Sequence, residues 1–189
     1  MRSAIFGGTF DPIHAAHIRV AQEAADRFGL DHVLLITSGN PPHKAAGATT
    51  SYEHRQRMVE LACETDPRLT PSRLEQGQIL SYSYDTIQRV RATLTVHDEL
   101  MFLIGADAFA EIGTWYRADD VIRAVEFIVV SRPGYSYPVP DSAKVHRLET
   151  LSLHVSSSDI RSRLAAGVAV DDLDPAVLAY IRQQNLYQP

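Results

Sequence analysis

Cysteine is almost missing from this chain: Cys63 is the only one in 189 residues. A lone thiol excludes an intramolecular disulfide framework and fits a reducing compartment. Its helical neighbours Met58, Val59, Leu61 and Ala62 mark it as buried filler rather than a nucleophile. Basic runs are missing too. Lysine and arginine total 18 against 23 aspartates and glutamates, for a net charge of −5. Without a basic patch there is no electrostatic footprint for nucleic acid, so a polyanionic ligand must meet a few locally placed cations. No apolar run approaches membrane-spanning length, and the N-terminus has no signal-like apolar region. Neither nucleic acid nor membrane is expected as a partner, and a cytoplasmic location is expected. Both common phosphate loops are also absent. No Lys-Ser/Thr pair follows a glycine-rich loop, as a Walker motif needs, and the first loop lacks the three spaced glycines of the dinucleotide fingerprint.

What the chain does have is the stretch Gly7-Gly8-Thr9-Phe10-Asp11-Pro12-Ile13-His14-Ala15-Ala16-His17. An apolar strand, Ser3–Phe6, precedes it. An amphipathic helix follows over 17–28, with Ile18, Ala21, Ala24, Ala25 and Phe28 on one side. Paired glycines let backbone approach a ligand closely, and a helix N-terminus offers free N–H groups that suit phosphate. His14 and His17, three apart, share a face of the first turn and can address one anion. A structural turn with two solvated histidines is the bland alternative.

Strands and helices then alternate. Strands are expected over Val33–Ile36, Leu69–Leu74, Leu100–Ile104 and Phe127–Val130, with one or two more over Val145–Val155. Continuous apolar runs suit strands of a parallel sheet buried on both faces. Residues 38–50, rich in glycine and proline, read as a long mobile loop. Thr50 and Glu53 have capping-box spacing for a helix to about Glu64. Arg55 and Arg57 in its first turns read as solvated. Ser156-Ser157-Ser158-Asp159 caps a helix ending at Gly167, with Arg161 one turn in; Asp174-Pro175 opens a last helix. The serines read either as a second anion site or as an ordinary N-cap. The expected architecture is α/β, Rossmann-like, a mainly parallel sheet flanked by helices. A single domain over 1–189 has its C-terminal helical part at about 156–187. Ligands are expected where the strands' carboxyl ends converge.

The opening loop resembles the GGTFDPxHxGH loop of HxGH-type nucleotidyltransferases, with Ala16 standing where that family has glycine. Val155-Ser156-Ser157-Ser158-Asp159-Ile160-Arg161 is similar to the superfamily's ISSTxIR segment, with Ser158 in place of threonine. Pro41-Pro42-His43-Lys44, Ser81–Ser83, Gly105-Ala106-Asp107, Trp115-Tyr116 and Arg132-Pro133-Gly134-Tyr135 look like segments of bacterial nicotinate-nucleotide adenylyltransferases, in the family's order and over almost the whole chain.

The resemblance implies adenylyl transfer from ATP to nicotinate mononucleotide, giving nicotinate adenine dinucleotide and pyrophosphate in NAD biosynthesis. It implies ATP binding by Gly7, Gly8, Thr9, Phe10, His14, His17, Ser157, Ser158 and Arg161, with His14, His17, Lys44 and Arg161 serving catalysis. Trp115 is then the platform for the pyridine ring, with Ser83 and Tyr116 at its carboxylate. Asp107 takes ribose hydroxyls, and Arg132 and His43 the mononucleotide phosphate. Asp11 reads as a second-row partner or as an Asx turn before Pro12; Tyr82 and Tyr180 read as packing. Mg²⁺ is expected to arrive on ATP, with no dedicated protein ligands. A homo-oligomer stays open. So do an amide-using or dual-specificity adenylyltransferase and a nucleotide binder without turnover.

Overall fold

The computed structural model describes residues 1–39, 50–77, 80–151 and 155–188. Among the described residues six strands form one sheet: β1 Arg2–Gly8, β2 His32–Thr37, β3 Leu69–Ser72, β4 Glu99–Gly105, β5 Glu126–Ser131 and β6 Val145–Glu149. Their order is β3-β2-β1-β4-β5-β6, and every pairing is parallel. The chain winds outward from β1 in both directions, so the order reverses between β2 and β4. In such sheets the crevice at the carboxyl end of the reversal point receives ligands. The loop after Gly8 lies there.

Among the described residues seven helices cover the sheet: α1 Ala15–Phe28, α2 Tyr52–Cys63, α3 Ser83–Arg91, α4 Ala106–Ala110, α5 Ala118–Ala124, α6 Ser157–Ala165 and α7 Pro175–Gln183. A 3₁₀ turn, Ile112–Thr114, separates α4 from α5. Period-two alternation divides the core into two layers. Ala4, Leu35, Leu103, Ile128 and Val130 face α1, α2, α6 and α7, where Val20, Ala24, Met58, Val59, Ile160, Val177 and Ile181 are buried. Ile5, Ile36, Phe102, Ile104, Phe127 and Val129 face α3, α4 and α5, against Ile87, Phe109, Val121 and Ile122. Both faces are covered, which is why the strands read as continuous apolar runs.

Most expected elements are present, with shifted edges. Helix α1 begins at Ala15, with His14 at its N-cap. The α2 cap is Ser51 rather than Thr50: its hydroxyl accepts from His54 N–H at 3.4 Å. The expected third strand ends at Ser72, two residues early, and Pro71 inside it is tolerated because β3 lies on the edge of the sheet. Of the one or two strands expected over Val145–Val155, β6 is present, and residues 152–154 lie outside the described residues. Ser156 and Asp174 cap α6 and α7 as expected, accepting from Asp159 and Ala176 N–H groups at 3.1 and 2.8 Å. Cys63 is buried, and burial pushes its thiol up to about 12. Among the described residues, no helix is long and apolar enough to cross a membrane.

Candidate active site

Two concavities meet at the carboxyl edge of β1 and β4. The first is a cleft of about 300 Å³ lined by Thr9, Phe10, Asp11, His17, the three serines 156–158 and Arg161. The second, about 310 Å³, is walled by Gly7, Tyr82, Ser83, Phe102, Trp115 and Tyr116 among others. Between them, Phe6, His14, Ala16, His17, Gly105 and Ser157 line a connecting hollow. Phe6 and Gly105 line hollow and aromatic pocket alike, so the concavities are close neighbours.

The first cleft is built by the loop from β1 to α1 and by the start of α6. Phe10 adopts a left-handed backbone conformation, φ 50°. Its ring folds back over Gly8, where an added Cβ would lie 2.7 Å from the ring. Glycine is needed at 8 for that close approach, and the buried Phe10 ring then meets both Phe6 and His17 edge-on. The loop's carbonyls are occupied in sequence. Gly8 O accepts from Ser38 N–H at 2.8 Å. Thr9 O accepts from Arg55 Nη1 at 2.7 Å, Asp11 O from Arg161 Nη1 at 2.8 Å, and Pro12 O from Ser157 Oγ at 3.0 Å. Arg161 also donates to Ser158 Oγ at 3.2 Å. Loop and α6 are thereby pinned together around the cleft.

The two histidines occupy different environments. His14 is buried, and desolvation lowers its imidazole to about 4, against a weaker opposing pull from Asp172. It is therefore neutral at pH 7. Its Nδ1 has no hydrogen-bond partner among the described residues, and buried polar atoms ordinarily have one. Nδ1 of His17 accepts from His14 N–H at 3.3 Å. A neutral His17 therefore carries its proton on Nε2, as a donor.

The aromatic pocket is built by the first turn of α3 and the break between α4 and α5. Trp115 is half-buried and meets Phe102 edge-on. Tyr116 lies against Tyr82 at 4.6 Å, and the Arg117 guanidinium sits 3.9 Å above the Tyr84 ring. At the base, buried Glu75 accepts from Thr86 Oγ1 at 2.6 Å and from Gly39 N–H at 3.3 Å. That carboxylate ties the end of β2 to α3, which carries Ser83.

The expected residues fall out as follows. Thr9, Phe10, His17, Ser157, Ser158 and Arg161 line the cleft, and His14 reaches the hollow beside it. Gly7 lines the aromatic pocket instead, with Ser83, Trp115 and Tyr116. Gly8 acts through the Phe10 ring. Asp107, in the first turn of α4, is exposed and accepts from the Tyr135 hydroxyl at 2.7 Å. Tyr135 belongs to the turn opened by exposed Arg132, since its N–H donates to Arg132 O at 3.1 Å. Asp107 and Arg132 thus come together on the rim, outside the pocket lining. His43 and Lys44, with most of the expected mobile loop, lie outside the described residues.

Two residues, Tyr82 and Arg55, depart from the sequence reading. Tyr82 lines the aromatic pocket, because its ring pairs with Tyr116 rather than with the core. Asp11, read either as a second-row partner or as an Asx turn, is buried and accepts from the Tyr187 hydroxyl at 2.6 Å. Arg55, read as solvated, is buried and spends its donors on the carbonyls of Thr9, Ser38 and Thr50. Its only sequence signal is its place in the first turn after a glycine- and proline-rich loop. Tyr180 is packing as expected, its hydroxyl 2.9 Å from His54 Nδ1. Among the described residues no group of three or more histidine, cysteine or acidic side chains could hold a metal ion.

Comparison with known proteins gives three findings. The model of the cytidylyltransferase-like family matches residues 5–163. A protein of Solibacter usitatus named "Probable nicotinate-nucleotide adenylyltransferase" is 57% identical over 187 residues, spanning 99% of this chain and 100% of its own. One of the same name from Moorella thermoacetica is 38% identical, spanning 100% and 92%. The Plasmodium falciparum nicotinic acid mononucleotide adenylyltransferase complexed with NaAD superposes with a TM-score of 0.80 at 20% identity, over 98% of this chain and 97% of that one. At that identity the superposition bears on the fold alone.

Proposed function

Because the chain belongs to the nicotinate-nucleotide adenylyltransferases of the cytidylyltransferase-like family, we infer that it transfers the adenylyl group of ATP to nicotinate mononucleotide. The products are nicotinate adenine dinucleotide and pyrophosphate, in NAD biosynthesis. One observation carries the reading: the donor-lined cleft at His17, Ser157, Ser158 and Arg161, the hollow at Phe6 and Gly105 and the aromatic pocket lie side by side and share lining residues. A triphosphate and a pyridine nucleotide need two such sites side by side.

The chemistry asks little of general acid–base catalysis. A phosphate oxygen of the mononucleotide, already anionic at neutral pH, attacks the α-phosphorus in line, and the bond to pyrophosphate breaks. Catalysis rests on positioning and on stabilising charge that moves to the leaving group. His17 Nε2–H and the Arg161 guanidinium donate to the polyphosphate, and the Ser157 and Ser158 hydroxyls hold it at the α6 N-terminus. His14, kept neutral by burial, offers hydrogen bonding without a second full charge. On the acceptor side Trp115 stacks on the pyridine, and Ser83 with Tyr116 N–H receives the carboxylate. Asp107 takes ribose hydroxyls, and Arg132 the mononucleotide phosphate. His43 and Lys44 belong to the same two sets, on phosphate. The cleft offers histidine, hydroxyl and guanidinium groups, and its one carboxylate among the described residues, Asp11, already accepts from Tyr187. Mg²⁺ arriving on ATP would be held by phosphate oxygens and water, and would supply neutralisation of phosphate charge.

The test is to give the purified protein ATP and Mg²⁺ with either nicotinate or nicotinamide mononucleotide. Pyrophosphate and dinucleotide are followed in each arm. Strong preference for the acid is expected. Equal rates would leave adenylyl transfer standing and remove the acid specificity. ATP binding without product would replace the enzyme by a nucleotide-binding module.

A further inference from the structure

Arg55 is almost fully buried, 2% exposed, on the first turn of α2. Its hydrogen bonds reach three separate segments: Nη1 donates to Thr9 O at 2.7 Å and to Ser38 O at 2.9 Å, and Nε to Thr50 O at 3.2 Å. A buried guanidinium is costly unless paired and bonded. Asp11 supplies opposite charge nearby, and the Tyr187 hydroxyl holds the Asp11 carboxylate at 2.6 Å.

The Thr9–Phe10 peptide is trans, the only cis bond among the described residues being Asp11–Pro12. In a trans peptide the carbonyl and the next N–H point in opposite directions. Anchoring Thr9 O on Arg55 therefore turns Phe10 N–H to the side away from Arg55. That N–H donates to no described residue, while both residues of the peptide line the phosphate-sized cleft. The neighbouring carbonyls of Asp11 and Pro12 are likewise withdrawn, by Arg161 and Ser157. The carbonyls of Gly8, Thr9, Asp11 and Pro12 are all occupied, and Phe10 N–H stands between them beside the cleft.

We propose that Arg55 is a positioning residue for the adenylyl donor: by holding the Thr9 carbonyl it presents Phe10 N–H to the ATP phosphates, with Tyr187 and Asp11 steadying it from behind. The assignment rests on the adenylyl-transfer reading above. It differs from a purely structural role, which would lower stability and leave the kinetics of the folded enzyme alone. A lysine in its place keeps the charge but lacks the planar fork that reaches several carbonyls at once.

The experiment compares the wild-type protein with Arg55→Lys, Arg55→Ala and Tyr187→Phe. Each substrate is varied in turn at saturating partner, ATP binding is measured directly by calorimetry, and melting temperature is recorded. For Arg55→Lys, kcat/KM for ATP is expected to fall about tenfold or more, as for loss of an oriented oxyanion donor, with KM for nicotinate mononucleotide unchanged within about twofold. Millimolar guanidinium should restore part of the activity of Arg55→Ala. Tyr187→Phe, which removes one oxygen, should weaken ATP about fivefold, the scale of one hydrogen bond. If the Arg55 variants do not fold, Tyr187→Phe decides alone. Folded variants with ATP parameters within about twofold of wild type overturn the proposal, as does equal weakening of both substrates. A wild-type protein that makes no dinucleotide overturns the adenylyl-transfer reading instead, and the calorimetric arm still tests Arg55 against ATP.

Discussion

The imidazole rings of His14 and His17 stack with centroids 3.7 Å apart and planes 25° apart. Two imidazolium ions would repel at that distance, so the stack holds at most one charge comfortably. Burial assigns the neutral ring to His14, whose value falls to about 4. His17 lines the cleft, and with its Nδ1 occupied by the His14 N–H its neutral ring carries the proton on Nε2. His17→Ala should cut kcat by about 10²-fold, the scale of one lost oxyanion donor, while ATP affinity falls less. Steady-state rates beside calorimetric ATP affinities check this; unchanged turnover removes His17 from the site.

Acid stability follows from the same pair. Unfolded His14 titrates near 6.5 and folded His14 near 4, so below pH 6.5 the unfolded state binds the extra proton. The stabilisation is fully present above pH 6.5, is lost as pH falls towards 4, and is flat below that. Its ceiling is about 3 kcal/mol at 1.36 kcal/mol per unit. Urea unfolding of wild type and His14→Gln should show the wild-type advantage shrinking across that window. A pH-independent difference would mean that His14 is not a buried neutral base.

Ala16 lies in the second position of α1 and lines the hollow beside both histidines. Ala16→Gly removes one methyl from that wall, and ATP affinity should rise by less than about tenfold. The helix should lose about 0.5–1 kcal/mol, glycine's usual cost in place of alanine. Calorimetry and melting curves report the two effects separately. A gain beyond about a hundredfold, or roughly 2.7 kcal/mol, would mean the methyl blocks the nucleotide outright.

Gly39 approaches the chain before α3 closely: an added Cβ would lie 2.3 Å from Glu75 O. Backbone cannot yield cheaply there, and its N–H also reaches the Glu75 carboxylate. Gly39→Ala should destabilise by about 1–3 kcal/mol and raise KM for nicotinate mononucleotide more than KM for ATP, because Glu75 supports the Ser83 helix. An equal change in both KM values would detach Glu75 from the acceptor pocket.

Local chemistry made much of this legible. Continuous apolar runs announced buried parallel strands, serine and aspartate caps announced α6 and α7, and paired glycines with histidines three apart marked the loop that lines the cleft. What escaped was long-range. Tyr187 and Asp11 are 176 residues apart, and no local pattern links them. Arg55 reads like any helix-surface arginine until the fold brings Thr9 and Ser38 over it. Tyr82 resembled packing because an aromatic ring can line either a core or a pocket. Its partner, Tyr116, comes from the far side of β4.

The strand order also governs how the chain can assemble. β1 is the middle of the sheet, yet its pairing with β4 aligns Arg2 with Glu99, whose side chains also meet at 2.6 Å across 97 residues. Closing so long a loop costs more entropy than the short return to β2, and parallel pairing of distant strands is slow. During synthesis, then, β1 and β2 can join while the other edge of β1 waits for half the protein to emerge. Until β4 arrives that edge is open to the wrong strand, and crowding or a slow ribosome bears most on this interval.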